Sequence, residues 1–103
     1  MSESALESAA RLHAARRGVR SAKLQGGVVG EPDRVFFLPG GRCWLVEFKT
    51  LAGRLSPRQQ VVIHEYRKLG HLVNVVRSMD DFRVWLDLKL QAVVDCRLTT
   101  TQD

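Results

Sequence analysis

The stretch that most constrains this chain runs from Gly30 to Lys49, GEPDRVFFLPGGRCWLVEFK. Residues 34–38 (RVFFL) and 42–48 (RCWLVEF) are short runs rich in β-branched and aromatic residues, and the PGGR between them is a tight-turn signal. Together they predict a β-hairpin. Neither run alternates cleanly between apolar and polar, which predicts central strands covered on both faces. Successive side chains on a strand point to opposite sides. Cys43, Leu45, Glu47 and Lys49 therefore share one face of the second run, and Trp44, Val46 and Phe48 take the other. The hairpin carries two carboxylates and an ammonium. Asp33 follows Pro32 and opens the first run, and Glu47 and Lys49 stand near the end of the second.

The flanking chain reads as scaffold. Residues 3–17 predict a helix capped by Ser2 or Ser4 and ended by Gly18, with Leu6, Ala9, Ala10 and His13 on one face. Glu7 falls in its first turns, where the helix dipole favours a carboxylate. Residues 19–25 predict a short edge strand with Val19, Ser21, Lys23 and Gln25 on one face. After the hairpin, SPRQQ opens a helix: Ser56 is the cap, Pro57 takes the first helical position, and Gln59 completes a capping box. Val62, Ile63, Tyr66 and Leu69 form its apolar face, and Gly70 ends it. Residues 71–77 predict another strand. Ser78 then caps a last helix with Asp80 and Asp81 in its first turn. The expected domain occupies residues 1–90. Residues 91–103 are left as an extension: an extra strand, an interface segment or a frayed tail.

Length and charge narrow the class. At 103 residues with 45% hydrophobic composition, the chain fits one domain with a small core, for which self-association is a natural supplement. The net charge is +5. It is concentrated in residues 1–78, while residues 79–103 carry three basic residues against five Asp. Such a balance suits a polyanionic partner, or serves as ordinary solubility charge. No apolar run approaches the ~20 residues of a membrane span, so no membrane is expected. Cys43 and Cys96 are the only cysteines, and they read as free thiols in a reducing cytosol. The N-terminus lacks the apolar core of a secretory signal, and Glu3 and Glu7 argue against a transit peptide. The expected location is cytoplasmic, in a bacterium or a phage-infected host cell.

A Glu-x-Lys on a strand is usually a solvated ion pair, and Pro-Asp before a strand is usually a turn. Both here adjoin apolar strands, where a bare charge is costly. Hydrolysis of a phosphodiester offers a reason to accept that cost. It needs carboxylates to hold a divalent metal, with a cation near the attacking water or the phosphate. Asp33 and Glu47 would be the ligands, with the Phe48 carbonyl a possible third, and Lys49 would assist the water. Oxygen ligands imply Mg²⁺ or Mn²⁺.

Pro32-Asp33, thirteen residues, then Glu47-Phe48-Lys49 matches the PD-(D/E)xK nuclease pattern. The chain resembles, over roughly residues 3–86, the VRR-NUC domain, the virus-type replication-repair nuclease. The resemblance rests on Glu7, Lys23, GEPDR, the PGG turn, LVEFK, Gly53 to Gln59 and Gly70 to Val76. It implies an α/β, restriction-endonuclease-like fold of order αβββαβα, with a mixed central sheet flanked by helices. It also implies Asp33 and Glu47 as metal ligands, Lys49 as the catalytic lysine and Gln59 as an active-site glutamine. Glu7, or less readily Glu3, would be the helix acid that binds metal directly or through water. Position 31 departs from the family in being Glu, read as an exposed loop residue. Arg16, Arg17, Arg20, Lys23, Arg34, Arg42, Arg54 and Arg58 are candidates for DNA contacts. His13, His64 and His71 show no metal-ligand spacing. Trp44, Phe82 and Trp85 are expected in the core.

Stand-alone members of the family resemble homodimeric resolvases of four-way DNA junctions, the first expectation for activity and partner. A flap nuclease, a sequence-specific nuclease of a mobile element, and a non-catalytic basic DNA-binding module are the alternatives.

Overall fold

A computed structural model describes residues 1–24 and 29–100, with residues 93–100 as backbone only. The elements follow in the order α1 (Glu3–Arg16), β1 (Arg20–Lys23), β2 (Arg34–Leu38), β3 (Arg42–Phe48), α2 (Pro57–Lys68), β4 (Leu72–Val76) and α3 (Met79–Thr100). This is the expected α/β order αβββαβα. The four strands form one mixed sheet in the spatial order β1-β2-β3-β4. β1, β2 and β3 are antiparallel neighbours, and β4 lies parallel to β3. A hairpin needs only the short turn at Gly40 and Gly41, both at positive φ, whereas the parallel pair needs α2 as its crossover.

The pleat sorts the core into two layers. Phe36, Leu38, Trp44, Val46, Phe48 and Val76 point to one face, where they pack with Leu6, Ala10 and Ala14 of α1 and with Phe82 and Leu86 of α3. Val35, Leu45 and Val73 point to the other, where Ile63 of α2 closes over them. The side-chain division expected for β3 is the one observed. Phe82 lies among the rings of Phe36, Trp44 and Phe48, with centroid separations of 5.2, 5.3 and 6.4 Å, and joins α3 to the middle of the sheet.

Several expectations need correction. Phe37 is 47% exposed and Cys43 is also exposed, so the α2 side of the hairpin is uncovered towards its turn. α2 lies over Leu45 and Val73 and does not extend that far. Leu69 is 75% exposed because it is the C-cap of α2, beyond the turns that meet the sheet. Trp85 is 38% exposed and so is no core residue, whereas Trp44 and Phe82 are fully buried. β1 begins at Arg20, although the preceding Val19 is buried in the α1/α3 layer. Gln25 of the expected strand lies outside the described residues. Ser2, not Ser4, caps α1, its hydroxyl accepting from Ala5 N at 3.1 Å. Helix α3 runs on past residue 90, so residues 91–100 are helical and do not form the extra strand that was one of the expectations. Residues 101–103 lie outside the described residues. No helix among the described residues is long and apolar enough to cross a membrane.

Candidate active site

The site begins where β2 and β3 part. Asp33 N donates to Val46 O and Leu24 N donates to Asp33 O, both at 3.0 Å, so the Asp33 backbone is held between β1 and β3. Pro32 before it is fully buried. The β2–β3 register reaches Arg34 opposite Val46, while β3 runs on through Glu47 and Phe48. There the Asp33 side chain replaces the missing strand: its Oδ2 accepts from Phe48 N at 2.7 Å. On the other side β4 keeps its pairing, Glu47 opposite Val75 and Phe48 opposite Val76, and Lys49 N donates to Val76 O at 3.0 Å. The end of β3 is thus rigid along one edge and open along the other.

Glu47 points from this open end towards α2. Gln59 Nε2 donates to Glu47 Oε2 at 3.1 Å, and Lys49 Nζ lies 3.8 Å from the same oxygen. The capping box fixes Gln59. Ser56 Oγ accepts from Gln59 N at 3.1 Å, and Gln59 Oε1 accepts from Ser56 N at 2.9 Å. One amide therefore serves the helix start with its oxygen and the carboxylate with its nitrogen, as its acceptor and donor ends allow.

Burial pushes the Glu47 carboxyl up to about 7, the Asp33 charge adds to the rise, and Lys49 opposes it. Asp33 is also raised, chiefly by burial, against the pull of the Phe48 N–H; Glu7 raises it further and Lys23 lowers it. Burial thus disfavours the charged form of both acids.

Glu7 stands beside this pair in its own network. It is buried, and its carboxylate accepts from Lys23 Nζ at 3.1 and 3.2 Å and from Arg34 Nε at 3.1 Å. Arg34 Nη1 also donates to Ser21 Oγ at 3.0 Å. Glu3 is exposed, and its charge reaches Glu47. Asp33, Glu47, Lys49 and Gln59 are thus brought together, with the Glu7 network alongside. Among the described residues, no group of three or more His, Cys, Asp or Glu side chains is placed to hold a metal. Magnesium commonly keeps several waters and takes only one or two protein carboxylates. Buried Glu47 and half-buried Asp33 are a pair of hard-oxygen donors that fits that habit.

The candidate DNA-contacting residues divide. Arg16, Arg20, Arg42 and Arg54 are exposed. Arg17 pairs with Asp87 at 2.5 Å, Lys23 and Arg34 with Glu7, and Arg58 Nε donates to Val29 O at 3.2 Å. Glu31 is not the exposed loop residue expected: it is half-buried, and Tyr66 OH donates to its Oε2 at 2.5 Å. With Arg58 packed under Gly30, α2 grips the segment leading into Asp33. Sequence reasoning placed Tyr66 only on the apolar face of α2 and passed over Arg77. Arg77 Nη1 donates to Thr50 O at 2.8 Å and Gly53 O at 2.5 Å, tying down the loop after Lys49. An arginine closing a strand carries no mark of that partner.

A mixed four-stranded sheet between helices, with acids gathered where two strands diverge, defines a nuclease-type α/β domain. Residues 2–80 match the family model described as the VRR-NUC domain, and the chain belongs to that family. It is also similar to a solved structure titled "VRR_NUC domain", at 29% identity and a TM-score of 0.77, the match covering 82% of this chain and 94% of that one. No curated protein matches.

Proposed function

We propose that the chain is a Mg²⁺- or Mn²⁺-dependent endonuclease of branched DNA, acting on four-way junctions as a homodimer. The observation that carries this reading is the convergence of Asp33, Glu47, Lys49 and Gln59 at the open end of β3. The carboxylates of Asp33 and Glu47 would hold the metal, with the Phe48 carbonyl, and Glu7 would join directly or through water. A divalent ion bound there supplies charge neutralisation at the phosphate and a more acidic water.

The chain's own residues do the rest. Gln59 fixes one oxygen of Glu47 and so sets the direction of the other. Asp33 is oriented by its bond to Phe48 N. Lys49 places a positive charge beside Glu47, where it can orient water and offset negative charge developing on the phosphate. In the hydrolysis, water oxygen bonds to phosphorus, the bond to one sugar oxygen breaks, and that oxygen takes up a proton. Arg16, Arg20 and Arg54 are exposed and would meet the DNA backbone, while Arg17, Lys23, Arg34 and Arg58 would contribute field more than direct contact. Val84, Trp85 and Leu88 form an exposed apolar stripe on α3 that suits a second copy of the chain. A twofold enzyme matches a twofold junction.

The test compares a synthetic four-way junction, a flap and a linear duplex, each with and without Mg²⁺ or Mn²⁺. Metal-dependent cutting favouring the junction, lost in Lys49→Ala, is expected. Equal cutting by wild type and Lys49→Ala would remove Lys49 from the mechanism. Binding without cutting of any substrate would leave a non-catalytic DNA-binding module.

A further inference from the structure

A cavity of about 470 Å³ lies beside the catalytic fork, lined by Leu6, Thr50, Leu51, Ala52, Arg77 and Met79, with Met1 and Ser78 completing it. Three of its lining residues are chain neighbours of residues at or next to the site. Thr50 follows Lys49 in the chain, Leu6 precedes Glu7, and Arg77 follows the Val76 that holds Lys49 N. The lining is mainly apolar, and Thr50, Ser78 and the Arg77 guanidinium add a few polar atoms.

The loop wall is held in place. Arg77 Nη1 binds the carbonyls of Thr50 and Gly53. Gly53 N donates to Thr50 O at 3.1 Å, and a Cβ on Gly53 would come within 2.9 Å of Thr50 Oγ1. Leu51, at the tip of this tight turn, is 81% exposed. An isolated apolar side chain at a loop tip needs no explanation. One that borders a cavity at a fork reserved for a polyanion does, because phosphate gains nothing from an apolar wall.

The group on a DNA strand that does gain is the base, a flat apolar ring with polar edges. The cavity volume lies within the usual range of small-ligand sites, roughly 300–1,000 Å³. A base within continuous duplex must unstack and unpair to enter. The cost is a few kcal/mol, and it is least for a base that is already unpaired. We propose that this cavity receives one unpaired nucleobase next to the phosphate at the fork, and that it thereby favours discontinuities over continuous duplex. The choice of a base as occupant rests on the DNA-binding reading above, and its position relative to the cut rests on the nuclease reading.

The test uses the full chain and branched DNA carrying a single 2-aminopurine at successive positions around the branch, without divalent cation. Wild type should produce a several-fold fluorescence change at one position. Ala52→Trp, which fills the cavity from its exposed rim, should abolish that change, and Leu51→Ala should reduce it. Melting curves would establish that both variants fold. No change at any position, or a change that both folded variants retain, overturns the proposal. Metal-dependent cutting with no fluorescence change leaves the nuclease and removes the base site. A fluorescence change sensitive to both variants, with no cutting of any DNA, keeps the base site and removes the nuclease.

Discussion

Gln59 Nε2 lies 3.1 Å from Glu47 Oε2 while Gln59 Oε1 lies 2.9 Å from Ser56 N, so one side chain couples the start of α2 to the buried acid of β3. The two ends can be separated by mutation. Gln59→Glu keeps an acceptor for Ser56 N but loses the donor to Glu47 and adds a third negative charge. Its helix should remain capped while cleavage falls on the order of 10²-fold, the scale of losing one well-placed donor. Gln59→Ala should lose both functions and about 1 kcal/mol of stability with the cap. Cleavage rates and urea melts of the two variants distinguish these outcomes.

The raised pKa of Glu47 makes the stability of the metal-free protein depend on pH. Unfolded, this carboxyl loses its proton near its ordinary value of 4.5; folded, it does so at about 7. The folded state therefore binds more protons at this group in between, and the contribution of Glu47 to stability is fully present below 4.5 and is lost as pH rises through about 7. The expected loss is on the order of a few kcal/mol. Glu47→Gln should flatten this slope and melt higher than wild type at pH 8 without divalent cation. A wild-type melting temperature that rises from pH 5 to 7 would contradict the assignment.

Divalent cation should reverse that penalty. Mg²⁺ or Mn²⁺ should raise the melting temperature of wild type, more at pH 8 than at pH 6, because the carboxylates must lose protons to bind it. Titration calorimetry in buffers of different ionisation enthalpy should detect proton release near pH 6.5. Asp33→Asn and Glu47→Gln should each weaken the effect by at least about tenfold in metal affinity, the low end of losses seen when a metal site's support is disturbed.

Arg77 should act through the loop. Removing its guanidinium leaves the carbonyls of Thr50 and Gly53 without that donor. Charge-assisted bonds of this kind are worth about 1.5–3 kcal/mol. Arg77→Ala is expected to lose stability of that order and to speed amide exchange in residues 50–55 well before global unfolding.

The grip of α2 on the approach to Asp33 predicts a smaller effect. Tyr66→Phe removes only the hydroxyl that meets Glu31. About 1–2 kcal/mol is expected, and Glu31→Gln, which keeps an acceptor, should lose less. If chemical denaturation gives the same midpoint for Tyr66→Phe and wild type, that bond contributes nothing to holding the segment.

Local signals made much of this architecture readable. The apolar runs around the Pro-Gly-Gly turn identify β2 and β3, and Ser56, Pro57 and Gln59 mark the start of α2 within the chain itself. Strand periodicity then puts Leu45 and Glu47 on one face, and the helix start puts Gln59 where it can meet them. What escaped depends on partners distant in sequence. The ties of Glu7 to Lys23 and Arg34, of Tyr66 to Glu31 and of Arg77 to the 50–53 turn follow no period. Exposure at Phe37 and Leu69 escaped for another reason: apolar patterning names a face, but the length of α2 decides how much of it is shielded; Trp85 lies off the stripe by which Phe82 and Leu86 of α3 meet the sheet.

The carboxylate of Asp33 occupies the place of a β-strand. Removing it would strand a peptide N–H at the point where the sheet ends, a cost in architecture as well as in chemistry. Lys49 differs, because among the described residues its ammonium meets Glu47 and bonds to no backbone atom. A lineage that gave up cutting while keeping the domain would therefore shed Lys49 readily and retain the aspartate. The acid most tempting as a marker of activity is in this chain a marker of the fold, and the lysine is the better witness.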